Sequence, residues 1–498
     1  MLDSLKRLPL LFLIILIVAV TVSLWLRVQF NFNAGHMDEY DYLFVGKRLL
    51  SGATWPSYSY IFGSDLNWYV LGLGDRWLGG LSGARTVAGL FGLLSLAGVY
   101  GFVYCLWSRH ITACLAVALM SLQSIQLFIS RFATYDIISF AYFSLALTPL
   151  LLACTRDGRR KYIYLLVAIA LMSLAITSKY IVILYLPLLA GLAFLRAPHI
   201  GLLFGIAVGV ILLCYIQWHW DALQTLYRVQ IQGVHGVGNG SVQYIVTTTL
   251  GYLGVLLVGW LVAMMWSIGC RSGPARLTPD LKKLLLLLLL ALPMAVYHLN
   301  AHNMISLFKH LVYATLFLIP AVAWLLTRLL ISQKHSGLKQ VLASIFIIFI
   351  SVINYQQLKS MEKAYANVTP VIKLARLNLS PTATVLSEDP YLFRYLGEGV
   401  LPQAQIKESG WLDNNLDGNY EAQDVIDAIW DRKFGYVFLN DQLHPTLNKK
   451  LRKILKMKRY KPLVNETYQI TDVMSRQVTG KLSLYQRVPP KQEKYSDN

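Results

Sequence analysis

The residues best placed to do chemistry are two adjacent carboxylates, Asp38 and Glu39, in the run His36-Met37-Asp38-Glu39-Tyr40-Asp41. Only ten acidic residues occur in the first 355 positions, and five of them (Asp38, Glu39, Asp41, Asp65 and Asp75) fall between residues 29 and 83. Glu39 is the only glutamate before Glu362. In so apolar a stretch a carboxylate is costly unless it is solvated, paired or used. One use is to take a proton from a reacting hydroxyl. The competing reading is structural: Asp38 or Glu39 caps a helix that begins near Tyr40.

The second set is cationic. Arg85, Arg131, Lys179 and the Lys309-His310 pair stand at the ends of apolar runs. The commoner fate of Lys or Arg there is interfacial, with an apolar stem and the charge held in water. The alternative is a charge-assisted contact to an anionic ligand. Asp136 lies five positions after Arg131, a poor offset for a pair on one helix, so a buried structural salt link and a substrate contact both stay open for it. In Tyr297-His298-Leu299-Asn300-Ala301-His302-Asn303 the His-x3-His spacing suits one helix face and would suit a metal. No acid is adjacent, and hydrogen bonding of His302 to a sugar or phosphate is the other reading. No cofactor is called for by these residues, and a divalent metal stays open. The five cysteines (Cys105, Cys114, Cys154, Cys214 and Cys270) all fall in or beside apolar spans, so there is no cysteine metal motif and no disulfide framework.

These residues need a membrane scaffold to position them. The chain has 498 residues, 56% hydrophobic and 14% charged, with a mean hydropathy of +0.50, far too apolar for a soluble protein of this length. Eleven runs are expected to cross the bilayer: 8–28, 84–107, 110–130, 132–154, 162–178, 180–196, 199–219, 244–269, 284–300, 310–328 and 338–355. The first is read as a retained anchor because Lys6 and Arg7 precede it and no cleavage pattern follows. With the N-terminus cytoplasmic, every inner loop holds a basic residue, among them Arg109, Arg159, Lys161, Arg196, Arg271, Arg276, Lys283, Arg328, Lys334 and Lys339. Residues 1–355 carry 24 Lys and Arg, and 356–498 carry 21 against 16 acids. Inner-loop topology accounts for most of the +19 charge, and nucleic acid is not an expected partner.

An outward loop, 29–83, follows the first span. Asp38–Leu50 and Leu66–Leu81 read as interfacial helices, with Trp55-Pro56-Ser57-Tyr58-Ser59-Tyr60 as aromatic anchors between them. After about Tyr355 the charge density rises. Thr384–Leu386, Tyr436–Leu439 and Leu482–Tyr485 read as buried strands, and Ala422–Arg432 and Pro445–Met457 as helices. The expected architecture is a polytopic α-helical membrane domain over 1–355, carrying the loop, and a small extracytoplasmic α/β domain over 356–498. Within it, Lys449–Lys461 has eight basic residues in thirteen. They form either a solvated face or one that meets anionic headgroups or a phosphorylated acceptor.

The order of these features resembles that of a known family. A first span, an outward Asp-Glu loop, then "GARTVAGLFGLL", "SRFATYDIISFAYFSLAL" and "SKYIVILYLPLL" is similar to the GT-C superfamily. The branch it resembles holds protein O-mannosyltransferases and lipid A aminoarabinose transferases. The resemblance covers roughly residues 10–330 and implies a GT-C-like membrane glycosyltransferase. Such an enzyme moves a hexosyl or pentosyl group from a polyprenyl-phosphate donor to a hydroxyl of a glycolipid, glycan or protein acceptor. It further implies that Asp38 is the base, with inversion at the anomeric carbon, and that Glu39 orients the acceptor or holds the local network. The family's motifs fall at Lys179 and Arg131, which it points to as donor-phosphate contacts.

A multi-span transporter or lipid flippase is the alternative of another class. Carriers more often show inverted repeats and charges at mid-membrane, and neither pattern is present here. The expected location is a bacterial inner membrane, multi-pass, with the N-terminus inside and the C-terminal domain outside.

Overall fold

The structure is a computed structural model, and it describes residues 10–29, 37–53, 63–228, 232, 240–269, 278–304, 306–331, 336–397, 402–409, 412, 421–442, 444–471 and 477–488. His36, Lys6, Arg7, the aromatic run Trp55–Tyr60, Arg271, Arg276, Cys270 and Lys334 lie outside the described residues. The chain divides into two compact units, one of residues 1–30 and 45–359 and the other of residues 31–44 and 360–498.

The first unit is helical. Its elements include α1 (Leu10–Arg27), α2 (Met37–Leu50, whose first eight residues belong to the second unit), α3 (Asp65–Leu78), α4 (Gly80–Trp107), α5 (His110–Leu122), α6 (Ser124–Ile129), α7 (Tyr135–Ala153) and α8 (Arg160–Ser178). They continue with α9 (Leu186–Arg196), α10 (Pro198–Trp218), α11 (Trp220–Leu226), α12 (Val242–Gly269), α13 (Pro279–Ala291), α14 (Pro293–Asn300), α15 (Leu307–Ile331) and α16 (Ser336–Glu362). Among the described residues, eight helices are long and apolar enough to cross a membrane. The protein is thus a polytopic helical membrane protein with a small sheet domain.

Each of the eleven expected spans has a helical counterpart, but several differ in form. The expected span 110–130 is broken at Gln123, whose extended backbone and side chain cap α6 by accepting from the Gln126 amide. The expected span 180–196 opens as a 3-10 turn, Tyr180–Tyr185, before Pro187 starts α9. The span 284–300 is split between α13 and α14 where Pro293 leaves a carbonyl without its amide partner. The last span runs seven residues past Tyr355, to Glu362.

Helix α15 is buried on nearly every side, which explains why its sequence is apolar all round rather than on one stripe. Helices α7 and α8 run antiparallel across a short loop, so the start of α7 and the end of α8 fall at the same end of the bundle. Helices α2 and α3 cross closely at Gly46 and Gly72. A Cβ on Gly46 would stand 2.5 Å from the Trp68 carbonyl oxygen, so only glycine fits.

The second unit is α/β. Its five strands, β1 (Val385–Ser387), β2 (Ile406–Glu408), β3 (Tyr436–Asn440), β4 (Tyr460–Thr471) and β5 (Gln477–Arg487), lie in the order β2-β1-β3-β5-β4. Strand β1 is parallel to β2 and β3, and β5 is antiparallel to β3 and β4. The remaining helices are α17 (Thr369–Asn378), α18 (Pro390–Leu396), α19 (Ala422–Trp430) and α20 (Pro445–Met457). Val385 and Phe438 face α17 and α18, while Leu386, Val437 and Leu439 face α19 and α20. Covering both faces is why these strands read as unbroken apolar runs instead of alternating. The long β4, with Lys461, Glu466 and Gln469 along it, has no such run and is not legible as a strand in the sequence.

Candidate active site

A buried charged cluster of the first unit lies where α7 begins, α8 ends and α15 begins. Asp136 is in the first turn of α7 and is 4% exposed. The Lys179 ammonium, at the C-cap of α8, donates to Asp136 Oδ1, and Lys309 Nζ lies 3.4 Å from Oδ2. The Thr134 hydroxyl donates to Oδ2 at 3.0 Å. The helix ends favour two of these charges, an acid at the positive N-terminus of α7 and a cation at the negative C-terminus of α8. Lys309 stands at the N-terminus of α15, against that preference, and its ion pair with Asp136 compensates. Both lysines are buried, so one carboxylate answers two ammonium groups in a low-dielectric setting.

The walls of this cluster are aromatic and hydroxylic. Lys179 Nζ lies 5.3 Å from the centroid of the Tyr135 ring. Tyr313, one turn after Lys309, shares its hydroxyl with Ser139 at 3.0 Å, and Ser139 also donates to the Ala175 carbonyl at 2.8 Å. Sequence reading missed Tyr313 and Ser139. Their i+4 and i+3 spacing from Lys309 and Asp136 is the signal that could have found them.

Several sequence expectations are corrected here. Arg131, five positions before Asp136 and poorly offset for a pair with it, is not a rim cation. It is 1% exposed and donates to the Gln29 carbonyl through Nε at 3.2 Å and Nη2 at 2.6 Å. Arg85, also 1% exposed, sets its guanidinium 5.7 Å from the Phe132 ring centroid. Arg131, Lys179 and Arg85 are therefore buried groups and not solvated rim cations. Arg27, which the sequence reading passed over, is a further buried cation. It donates to Ser130 Oγ at 2.5 Å and to Gln126 Oε1.

The two histidines of the His-x3-His segment do not share a helix face. Helix α14 ends at Asn300, and His302 has a left-handed backbone, φ 46°, that turns it away from His298. The carbonyl of His302 accepts from the Gly240 amide at 2.9 Å. The partner of His298 is His310, with Nε2 and Nδ1 2.8 Å apart, and His298 Nδ1 lies 2.6 Å from the Asn303 carbonyl. A carbonyl only accepts, so Nδ1 of His298 carries the proton. In the neutral ring Nε2 then accepts from His310 Nδ1. Among the described residues no group of three or more His, Cys, Asp or Glu side chains is arranged to hold a metal ion.

Asp38 and Glu39 belong to the second unit. Helix α2 begins at Met37, so both lie inside its first turn and neither is the N-cap of a helix starting near Tyr40. Acids in that turn still suit the helix dipole. Glu39 is fully buried and Asp38 half-buried. The start of α2 packs on α18, with the Tyr40 and Tyr395 rings 5.3 Å apart and Phe44 6.3 Å from Tyr391. The fold adds other carboxyls to this corner. Burial raises Asp41 well above the usual carboxylate range, with Asp38, Asp389 and Glu408 adding to the rise and Arg394 opposing it. Asp389 caps α18 by accepting from the Leu392 amide at 3.2 Å, yet burial and the nearby Glu408 and Asp38 push it up to about 7. Burial also raises Glu408, against the pull of Arg394.

A family model described as dolichyl-phosphate-mannose-protein mannosyltransferase matches residues 8–226. No curated protein matches the chain. Among solved structures, the fold is similar to ArnT from Cupriavidus metallidurans in the apo state, with TM-score 0.56 and 14% identity over 95% of this chain and 97% of that one. The same protein bound to undecaprenyl phosphate matches with TM-score 0.55 and 13% identity over the same shares. The archaeal oligosaccharyltransferase AglB from Archaeoglobus fulgidus, in complex with an inhibitory peptide and a dolichol-phosphate, matches with TM-score 0.56 and 12% identity, over 94% of this chain and 74% of that one. At such identities the likeness is one of fold.

Proposed function

We propose that this chain is a GT-C membrane glycosyltransferase that moves a hexosyl or pentosyl group from a polyprenyl-phosphate sugar to a hydroxyl, a reading supported by the family match over residues 8–226 and by the fold. The acceptor is a glycolipid, a glycan or a protein. The observation that carries the donor half of this reading is the sharing of Asp136 by Lys179 and Lys309. Two buried ammonium groups gathered at one carboxylate make a cationic wall, chemistry that suits a single lipid-borne phosphate. The solved relatives that contain undecaprenyl phosphate or dolichol-phosphate support the same class of donor. The carrier reading is set aside because the family match and the fold both run to transferases.

In this reading Asp38 accepts the proton of the acceptor hydroxyl, and the acceptor oxygen attacks the anomeric carbon with inversion. The bond from that carbon to the phosphate oxygen breaks, and the polyprenyl phosphate leaves with the electron pair. Lys179 and Lys309 stabilise the charge that develops on it. Glu39 orients the acceptor or holds the local network. Arg131, Arg85, His302 and His310 support the donor side. The same reading places the N-terminus in the cytoplasm, the reaction and the α/β domain on the outer face, and the chain in a bacterial inner membrane, following the distribution of Lys and Arg.

The test is transfer by purified protein from defined polyprenyl-phosphate sugars, followed as release of polyprenyl phosphate. Turnover that requires the lipid-phosphate sugar and fails with a nucleotide sugar is expected. Transfer from a nucleotide sugar alone would overturn the donor assignment.

A further inference from the structure

At the end of the α7–α8 pair opposite Asp136 lies a cavity of about 660 Å³, within the size range of small-ligand sites. The ends of α4, α7 and α9 and one side of α13 form its walls, chiefly through Phe102, Leu147, Leu150, Leu189, Leu287 and Leu290. From Asp136 to Leu150 is 14 residues, about 21 Å along the helix at 1.5 Å per residue, so this space is remote from the lysine pair. All but α9 of the four helices belong to segments long and apolar enough to span a membrane by themselves. Half-buried Cys105 and Leu151 line the cavity, and exposed Leu195 stands at its lip.

The cavity is apolar except at one end, where Arg196 and Lys283 line it together. Lys283 Nζ donates to the Leu106 carbonyl at 2.6 Å and lies 5.9 Å from the Trp107 ring centroid, which fixes the ammonium at the mouth. Arg196 is exposed and within electrostatic reach of Lys283, Cys105 and Cys154, and Arg156 is within reach of Cys105. Among the described residues, the acid acting on Lys283 is Asp280, whose carboxylate is bonded to Arg328 at 2.8 Å. Positive charge is therefore in excess at the mouth, and hydrocarbon-like walls lie beneath it.

We propose that this cavity binds one anionic glycerophospholipid of the surrounding bilayer, its acyl chain among the leucines and its phosphate between Arg196 and Lys283. A free phosphate would leave the apolar volume unfilled, and an uncharged lipid would leave the cations unmatched. The site is at the end of the bundle opposite the Asp136 cluster, so its occupant takes no part in the transfer.

The experiment is native mass spectrometry of the full-length protein, delipidated in detergent and titrated with phosphatidylglycerol or phosphatidylcholine. One bound phosphatidylglycerol is expected, with about tenfold preference over phosphatidylcholine. Arg196→Gln with Lys283→Gln should abolish that preference. Arg159→Gln with Lys161→Gln, an equal loss of charge away from the cavity, should leave it intact. Cys154→Phe, which fills the cavity without changing charge, should lower the retained lipid of either kind. Equal retention of both lipids by the unaltered protein, or equal loss of preference in the two double variants, would overturn the proposal. So would displacement of the phosphatidylglycerol by an equimolar polyprenyl phosphate.

Discussion

Lys309 Nζ lies 3.4 Å from Asp136 Oδ2, the carboxylate oxygen opposite the one that Lys179 engages. Two helices distant in sequence, α7 and α15, thereby meet through a single carboxylate that is already neutralised by a third. The arrangement separates what each lysine does for stability from what both do for an anion.

Removal of one lysine should therefore cost little stability and much activity. In Lys309→Met, Asp136 keeps Lys179 as its partner, so the melting temperature should fall only slightly. Transfer from a polyprenyl-phosphate sugar should fall at least about tenfold, through a rise in donor KM. Asp136→Asn is the converse: it removes the carboxylate that both buried ammonium groups engage and should destabilise by about 3–5 kcal/mol. Thermal unfolding in detergent with and without donor separates the two. A larger stability loss in Lys309→Met than in Asp136→Asn would contradict the sharing of the charge.

Asp38→Asn keeps the size and most of the dipole and hydrogen-bonding character of the side chain but cannot accept a proton. If Asp38 is the base, turnover should fall by about a hundredfold or more while donor binding persists. A helix-terminal role alone would change stability by about 1 kcal/mol and leave turnover largely intact. Single-turnover kinetics with a donor-saturated sample reads the difference directly, and near-normal transfer would remove Asp38 from the chemistry.

The corner around α18 should make the second unit less stable as pH rises. Asp389 is held at about 7, above its unfolded value near 3.8, because its charged form is buried beside Glu408 and Asp38. Between about pH 4 and 7 the folded protein holds a proton that the unfolded chain has lost. Its contribution is thus full below pH 4, declines through that window and is gone above 7. Glu388, also pushed up to about 7 by burial, acts in the same sense. Asp389→Asn retains an acceptor for the Leu392 amide and should flatten the profile, gaining stability at pH 8 relative to the parent, up to about 4 kcal/mol. Melting curves from pH 4.5 to 8.5 test this, and parallel profiles for the two proteins would count against it.

Gly46→Ala should loosen the α2–α3 crossing. The added methyl would sit 2.5 Å from a backbone oxygen that has no rotamer to escape into, a packing conflict of about 1–3 kcal/mol. Ala at Gly251, where nothing lies within 4 Å, is the matched control. Equal melting temperatures for the two variants would mean the helices part without cost.

What the sequence determined by itself is whatever short-range periodicity and desolvation dictate. The apolar runs were legible as spans because hydrocarbon leaves a backbone no other way to satisfy its hydrogen bonds. Helix α20 was legible to its ends, Pro445 and Met457, since Pro suits a first turn and its apolar residues recur at helical spacing. The Asp-Glu run stood out because acids are so scarce around it. The breaks at Gln123 and Pro293 were blurred by apolar flanks. Tertiary structure alone decided the pairings. Asp136 with Lys179 and Lys309, His298 with His310, and Arg131 with the Gln29 carbonyl join residues 12 to 173 positions apart. No local spacing encodes such distances, and any of several cations could have met that carboxylate. Only the packing of α7, α8 and α15 determines which ammonium groups reach Asp136, because a charge is tolerated in the interior only where its partner is already in place.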